Sequence, residues 1–199
     1  MKKTSNKEKK EKKVEVIPFI NGETIFLTPP RSEWVEKYIQ WFNDPKIRKY
    51  LRNPFPSILE DFKKWIESED PRGIKREIIF TIYHEKDDIP IGIMGLERIS
   101  WFDKHARMFI IVGEPKYWEK NITIESGRLI LKYGFEELNL HKIYIEIFSL
   151  DENLKEIIEE MGFKRELTLK EEVFMDGKYL DCERFAIFDN EWMNEKKIS

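Results

Sequence analysis

The chain has 199 residues, 41% hydrophobic and 14% aromatic, with six Trp and fourteen Phe set against a 37% charged fraction. That length predicts one domain, and that apolar content excludes a disordered chain. A single cysteine, Cys182, excludes an intrachain disulfide, a Cys-x-x-Cys redox pair and a paired-Cys metal site, so a reducing, cytoplasmic setting and no metal are expected.

Charge is uneven. Met1 to Lys13 holds seven Lys and two Glu, a net +5, and the whole-chain charge of −3 therefore leaves −8 for the remainder. No apolar stretch follows these residues, so neither a secretory signal nor a membrane span is expected. The reading favoured for residues 1–14 is a solvated, disordered Lys-rich tail. An electrostatic arm for nucleic acid is the less favoured alternative, because no aromatic residue interleaves the lysines. The domain is expected over 15–192, with a short C-terminal tail over 193–199.

In chain order, Glu23 to Thr28 reads as a first strand, closed by Pro29-Pro30. Ser32 is placed to cap a helix reaching Asn43, in which Trp34, Val35, Tyr38, Ile39 and Phe42 form one apolar stripe. Asp44-Pro45 breaks it, Ile47 to Leu51 suggests a further helical turn, and a helix from Ser57 to about Ser68 follows Asn53-Pro54-Phe55-Pro56. Glu77 to His84, Pro90 to Ile99 and His105 to Val112 read as an antiparallel meander. Ile122 to Leu138 predicts a buried helix whose Gly127 and Gly134 pack closely on the sheet. Lys142 to Phe148 alternates cleanly, with Ile143, Ile145 and Ile147 on one face. A helix over Glu152 to Met161 stops at Gly162, and two strands flank Asp176-Gly177, the pair favoured in a type I′ hairpin. The sum is an α/β (α+β) protein with one mixed, mostly antiparallel sheet of about seven strands and helices on both faces.

Several stretches occur in the order of a known family: Asn53-Pro54-Phe55-Pro56, Gly92-Ile93-Met94-Gly95-Leu96, Gly113-Glu114-Pro115-Lys116-Tyr117-Trp118, Tyr133 to Lys142, Glu160-Met161-Gly162-Phe163, and Asp176 to Asp181 followed by Glu191-Trp192. Over about Glu23 to Trp192 the chain resembles the GNAT acyl-CoA N-acyltransferases, nearest their ribosomal-protein (N-terminal alanine/serine) N-acetyltransferase branch. The resemblance implies a sheet splayed between its fourth and fifth strands, with acetyl-CoA as co-substrate in the splay. It also implies a pyrophosphate on the loop and helix start at Trp118, Glu119, Lys120, Asn121, Ile122 and Thr123, where free amides and the helix dipole favour an anion. The family pattern of Gln or Arg, two residues, Gly, one residue, then Gly or Ala falls on Trp118, Asn121 and Thr123. Asn121 is expected to stand in for glycine by adopting a positive φ.

Backbone amides of Ile111, Val112 and Gly113 are expected to hold the cofactor and polarise the thioester carbonyl. Asp151 stands where the family has an Asn opening the last helix, and the family's general-acid Tyr falls on Ile158, which cannot donate a proton. Glu97 is the first choice for general base, with a plain surface carboxylate as the equal alternative. Ser149 is a candidate contact to pantetheine or substrate, with a turn serine as the commoner reading, and His141 reads as structural before catalytic. The expected activity is transfer of an acetyl group to a primary amine, most readily a protein or peptide N-terminus. The alternative is a catalytically impaired acyl-CoA-binding or protein-interaction module. The state expected is monomer or homodimer.

Overall fold

A computed structural model describes residues 15–51, 55–67, 75–148 and 152–195. Among these, eight strands form one sheet in the order β1-β2-β3-β4-β5-β6-β8-β7. They are β1 (Ile20–Asn21), β2 (Ile25–Thr28), β3 (Ile78–His84), β4 (Ile89–Ser100), β5 (His105–Val112), β6 (Lys142–Phe148), β7 (Lys164–Met175) and β8 (Lys178–Phe188). The strand beyond the expected seven is β1, two residues that fold back on Leu27 and Phe26. Glu125, reaching over from a helix, anchors that turn by accepting the amides of Glu23 and Thr24 at 2.6 and 2.8 Å.

The helices are α1 (Val35–Asn43), α2 (Pro45–Leu51), α3 (Leu59–Glu67), α4 (Lys120–Lys132), α5 (Glu152–Glu160) and α6 (Asp189–Glu195). Ser32 does not cap α1: residues Ser32–Trp34 form a 3-10 turn, and α1 starts at Val35 with no side-chain cap. Asp44 ends α1 in an extended conformation imposed by the following Pro45. Its Oδ1 then accepts the Lys46 amide at 2.8 Å, so Asp44 caps α2 while Pro45 opens it. The break read from the sequence is thus a stop and a start in one residue.

Two apolar layers sandwich the sheet. On one face α4 and α5 bury Ile122, Ile130, Leu131, Ile158 and Met161 against Met94, Leu96, Met108, Ile143 and Ile147. On the other, α1 and α3 bury Val35, Tyr38, Trp41 and Phe62 against Ile79, Ile93, Phe109 and Ile111. The long helix begins two residues earlier than expected and changes at Tyr133–Glu137 to a π-turn, with the Leu138 amide donating to the Tyr133 carbonyl. Gly134 meets the sheet, since a Cβ there would lie 2.5 Å from Ile143 Cδ1, and Gly127 fits between the end of α5 and the sheet, where a Cβ would lie 2.1 Å from Met161 Sδ and 3.5 Å from Ile110 Cδ1. At the β7–β8 turn Asp176 and Gly177 have φ of 51° and 77°, the left-handed pair that a type I′ turn requires.

Every neighbouring pair of strands is antiparallel except β5 and β6. These run parallel and register only over His105–Arg107 against Lys142–Tyr144. Beyond Arg107 and Tyr144 the two strands separate. Strand β5 stays on β4 to Val112, and β6 stays on β8 to Phe148. The result is a V-shaped opening between two intact half-sheets.

Candidate active site

The opening presents a strand edge. Gly113 donates its amide to the Ile91 carbonyl at 2.8 Å, which continues the β4–β5 ladder. Because an antiparallel ladder alternates, the amides of Ile111 and Gly113 point to β4, whereas those of Ile110 and Val112 point toward the opening. Of the three expected amides, Val112 alone faces the gap. Its carbonyl accepts the Trp118 indole N–H at 2.8 Å, which lays that half-exposed ring along the mouth. Gly113 has a packing reason to be glycine, since a Cβ would lie 2.1 Å from the Trp41 ring.

Immediately beyond the mouth, α4 begins. Glu119 is its N-cap residue, extended and making no side-chain cap bond, and among the described residues no carboxylate or hydroxyl accepts the first-turn amides of Lys120, Asn121 and Ile122. Asn121 does not adopt a positive φ; it is the second residue of the helix, and its side chain is exposed. Asn121 therefore does not stand in for glycine through a left-handed backbone. Ile122 turns its side chain into the core and offers only its amide, while Thr123 is half-buried. Lys120 Nζ lies 2.5 Å from Glu160 Oε2, and this pairing raises the Lys120 pKa. The ammonium is thus tied to α5 and helps fix the helix start.

These features fit an elongated thioester with an anionic end. The V leaves the Val112 strand edge unpaired on that side, and α4 opens with free amides and the positive end of its dipole, an arrangement that suits an anion. Glu119 opposes that anion. Among the described residues no three His, Cys, Asp or Glu side chains converge to hold a metal.

The opposite, helix-α2 face of the apex carries the charges. Glu97 on β4 is half-buried and pairs with Arg107 of β5 at 3.1 Å. Arg107 Nη1 also lies 3.8 Å from Glu146 of β6, which accepts Arg184 Nε and Nη2 at 3.1 and 2.6 Å. Arg184 stacks 4.5 Å over the Tyr144 ring; burial works against its charge, but the Glu146 hydrogen bond and the charges of Glu146, Tyr144 and Glu166 together raise its pKa. Thus Glu97 reaches the apex through a charged chain that spans β4, β5, β6 and β8. The sequence reading missed Arg107, Glu146 and Arg184, although a charge inside an otherwise apolar strand was the available signal for the first two.

Other expected residues fall elsewhere. Ile158 is fully buried under the sheet, so the position that carries Tyr in the resembling family is closed in this chain. Ser149 and Asp151, like Asn53 and Pro54, lie outside the described residues. His141 is exposed and pairs through Nδ1 with Asp189 at 3.2 Å, at the start of β6 and away from the opening. A second cluster braces the mouth: Asp87 of the β3–β4 turn accepts the Tyr117 hydroxyl and lies 2.9 Å from Lys116 Nζ. These two bonds hold its carboxyl down at about 2.

The splayed sheet, the open β5 edge and the uncapped start of α4 together define a CoA-dependent acyltransferase scaffold. The pattern described as "Acetyltransferase (GNAT) domain" matches residues 24–164, and the chain belongs to this family of N-acetyltransferases. It is 32% identical over 157 residues to the spermidine N(1)-acetyltransferase of Vibrio cholerae, covering 79% of this chain and 83% of that protein. It is 25% identical over 178 residues to the spermidine N(1)-acetyltransferase of Escherichia coli, covering 89% and 92%. A putative ribosomal N-acetyltransferase, YdaF of Bacillus subtilis, matches at 23% over 184 residues, covering 87% and 94%. The ribosomal branch is therefore not singled out. The crystal structure of the Vibrio cholerae spermidine N-acetyltransferase with CoA and spermine superposes with a TM-score of 0.78 at 23% identity, covering 86% of this chain and 99% of that one, which shows the shared fold.

Proposed function

We propose that the protein transfers the acetyl group of acetyl-CoA to a primary amine, with the pantetheine chain along Val112, the pyrophosphate at the Lys120–Ile122 amides and the amine entering from the Glu97 side. The observation that carries this reading is the parallel β5–β6 pairing that ends at Arg107 and Tyr144, since it opens a slot through the sheet between the two faces. Glu97 takes a proton from the incoming ammonium. The amine nitrogen attacks the thioester carbonyl, whose developing oxyanion is met by the Val112 amide. The C–S bond then breaks as the nitrogen gives up its second proton, which passes through water to the leaving thiolate because Ile158 has none to give, so the products are an amide and free CoA thiol. Forgoing a side-chain acid costs at most about 10²–10⁴-fold in rate, a penalty that slows transfer without abolishing it.

Spermidine is the first acceptor to test, on the strength of the relatives' names, and a peptide α-amine is the second. A cytoplasmic setting suits both, with Cys182 buried and reduced. Acetyl-CoA at about 100 times its Kd should raise the melting temperature by about 5–10 °C. Thiol release should then follow when an amine is added. Asn121→Trp should remove the thermal protection by blocking the first-turn amides; unchanged affinity would place the pyrophosphate elsewhere. Protection without thiol release on any amine would favour a binding module over an enzyme.

A further inference from the structure

We infer that the preferred acceptor carries an anionic group, a carboxylate or a phosphate, beside its reactive amine, and that Arg107 with Arg98 and Arg184 holds that group at the apex of the cleft. This rests on the acetyltransferase reading and deepens it. The apex face contains three guanidinium groups and two carboxylates. Glu146 is shared among all three: it accepts two hydrogen bonds from Arg184, and its other oxygen lies 3.8 Å from Arg107 and 3.9 Å from Arg98. Among the described residues Glu97 pairs with Arg107, and Glu166, whose charge also acts on Arg184, is paired with Lys142, so the described group keeps one positive charge in excess.

The neighbouring wall adds to that excess. Helix α2 carries Lys46, Arg48 and Lys49, against the one carboxylate of its cap, Asp44, and it is set against the tip of β6 by Tyr50 stacking 6.1 Å from Phe148, on the same strand face as Glu146. Lys49 lies 5.9 Å from that tyrosine ring. A positive wall on a body of net charge −8 is opposite to the protein's average, so it is a local feature of this face. Arg107 also keeps a donor in reserve: its Nε is buried and has no hydrogen-bond partner among the described residues. A buried N–H of this kind is expected to be satisfied, and an oxyanion is the ligand that a guanidinium fork binds best. A polyamine brings further ammonium groups to a surface already in positive excess, whereas an acidic amine completes the guanidinium shell and leaves its own amine beside Glu97.

The test is thiol release from acetyl-CoA with matched acceptors: glycylglycine against glycylglycine amide, glucosamine 6-phosphate against glucosamine, and spermidine as the polycation. The expected result is a kcat/KM at least tenfold higher for the anionic member of one pair, the pair identifying carboxylate or phosphate, with spermidine poorer than both. Arg107→Gln should erase that preference mainly through KM, and Arg98→Gln, at an exposed position, should reduce it severalfold while acetyl-CoA still protects both variants thermally. Equal rates within both pairs, or spermidine as the best acceptor, would overturn the inference while leaving the acetyltransferase reading intact. If no amine releases thiol, that reading fails instead. The inference is then decided by inorganic phosphate, which should add thermal protection to the acetyl-CoA-bound wild type and not to Arg107→Gln; equal response of the two would sink it.

Discussion

The two faces of the splayed sheet are built to different rules. Beneath α4 and α5 the face is continuously apolar, with Leu96, Met108, Ile143 and Ile158 all fully buried, and it holds the two half-sheets together below the opening. The opposite face is apolar only where α1 and α3 cover it and becomes a chain of charges at the apex, from Glu97 to Arg184. One face supplies stability, and the other, where we propose the chemistry takes place, is a setting in which each charge needs its partner.

The sharpest break of this contrast is on the apolar side. Phe163, 2% exposed, ends the turn after α5, and Phe163→Ala should cost about 3–5 kcal/mol, read as a lowered denaturant midpoint. Ile158→Tyr probes the same layer. A design to restore the proton donor would instead drive a larger, polar ring into a closed core, so we expect a loss of about 1–3 kcal/mol and no gain in kcat. A gain in kcat would show that α5 lines the cleft.

On the cleft side the effects are smaller. Glu119→Lys removes a negative charge from the N-cap of α4 and adds a positive one, which should tighten CoA binding about 5–20-fold at low salt, with the gain shrinking above 0.3 M. Calorimetric titration at two salt concentrations reads both. The smallest effect concerns Asp87, whose folded pKa of about 2 lies below the ordinary 3.8 because of the Tyr117 hydroxyl first and Lys116 second. A depressed carboxyl contributes stability that is present above its unfolded pKa and is lost as pH falls through its folded one. Asp87→Asn should therefore lower the melting temperature slightly at pH 7, and the difference from wild type should vanish between about pH 4 and 2.

Much of this was legible in the residues because the signals were local. Alternating Ile143, Ile145 and Ile147, the Asp176-Gly177 pair, Gly162 and Asp44-Pro45 each specify strand, turn, stop or break through backbone preferences that act within a few residues. The order of those elements was enough for the family. Where local preference was asked to report on a neighbour, it was incomplete: Gly127 meets Met161 first and Ile110 of the sheet second, and Asn121 is helical because α4 continues through it.

The sequence by itself determined the elements, their order and the apolar faces, since these depend on periodicity and on residue types that stop or cap a chain. Only the tertiary structure decided which amide faces the opening, that Ile158 is sealed in the core, and that Glu97, Arg107, Glu146 and Arg184 form one chain. Those four residues lie on four different strands, from β4 to β8. Charge pairing at a few ångströms depends on strand register, and register is set by the whole sheet.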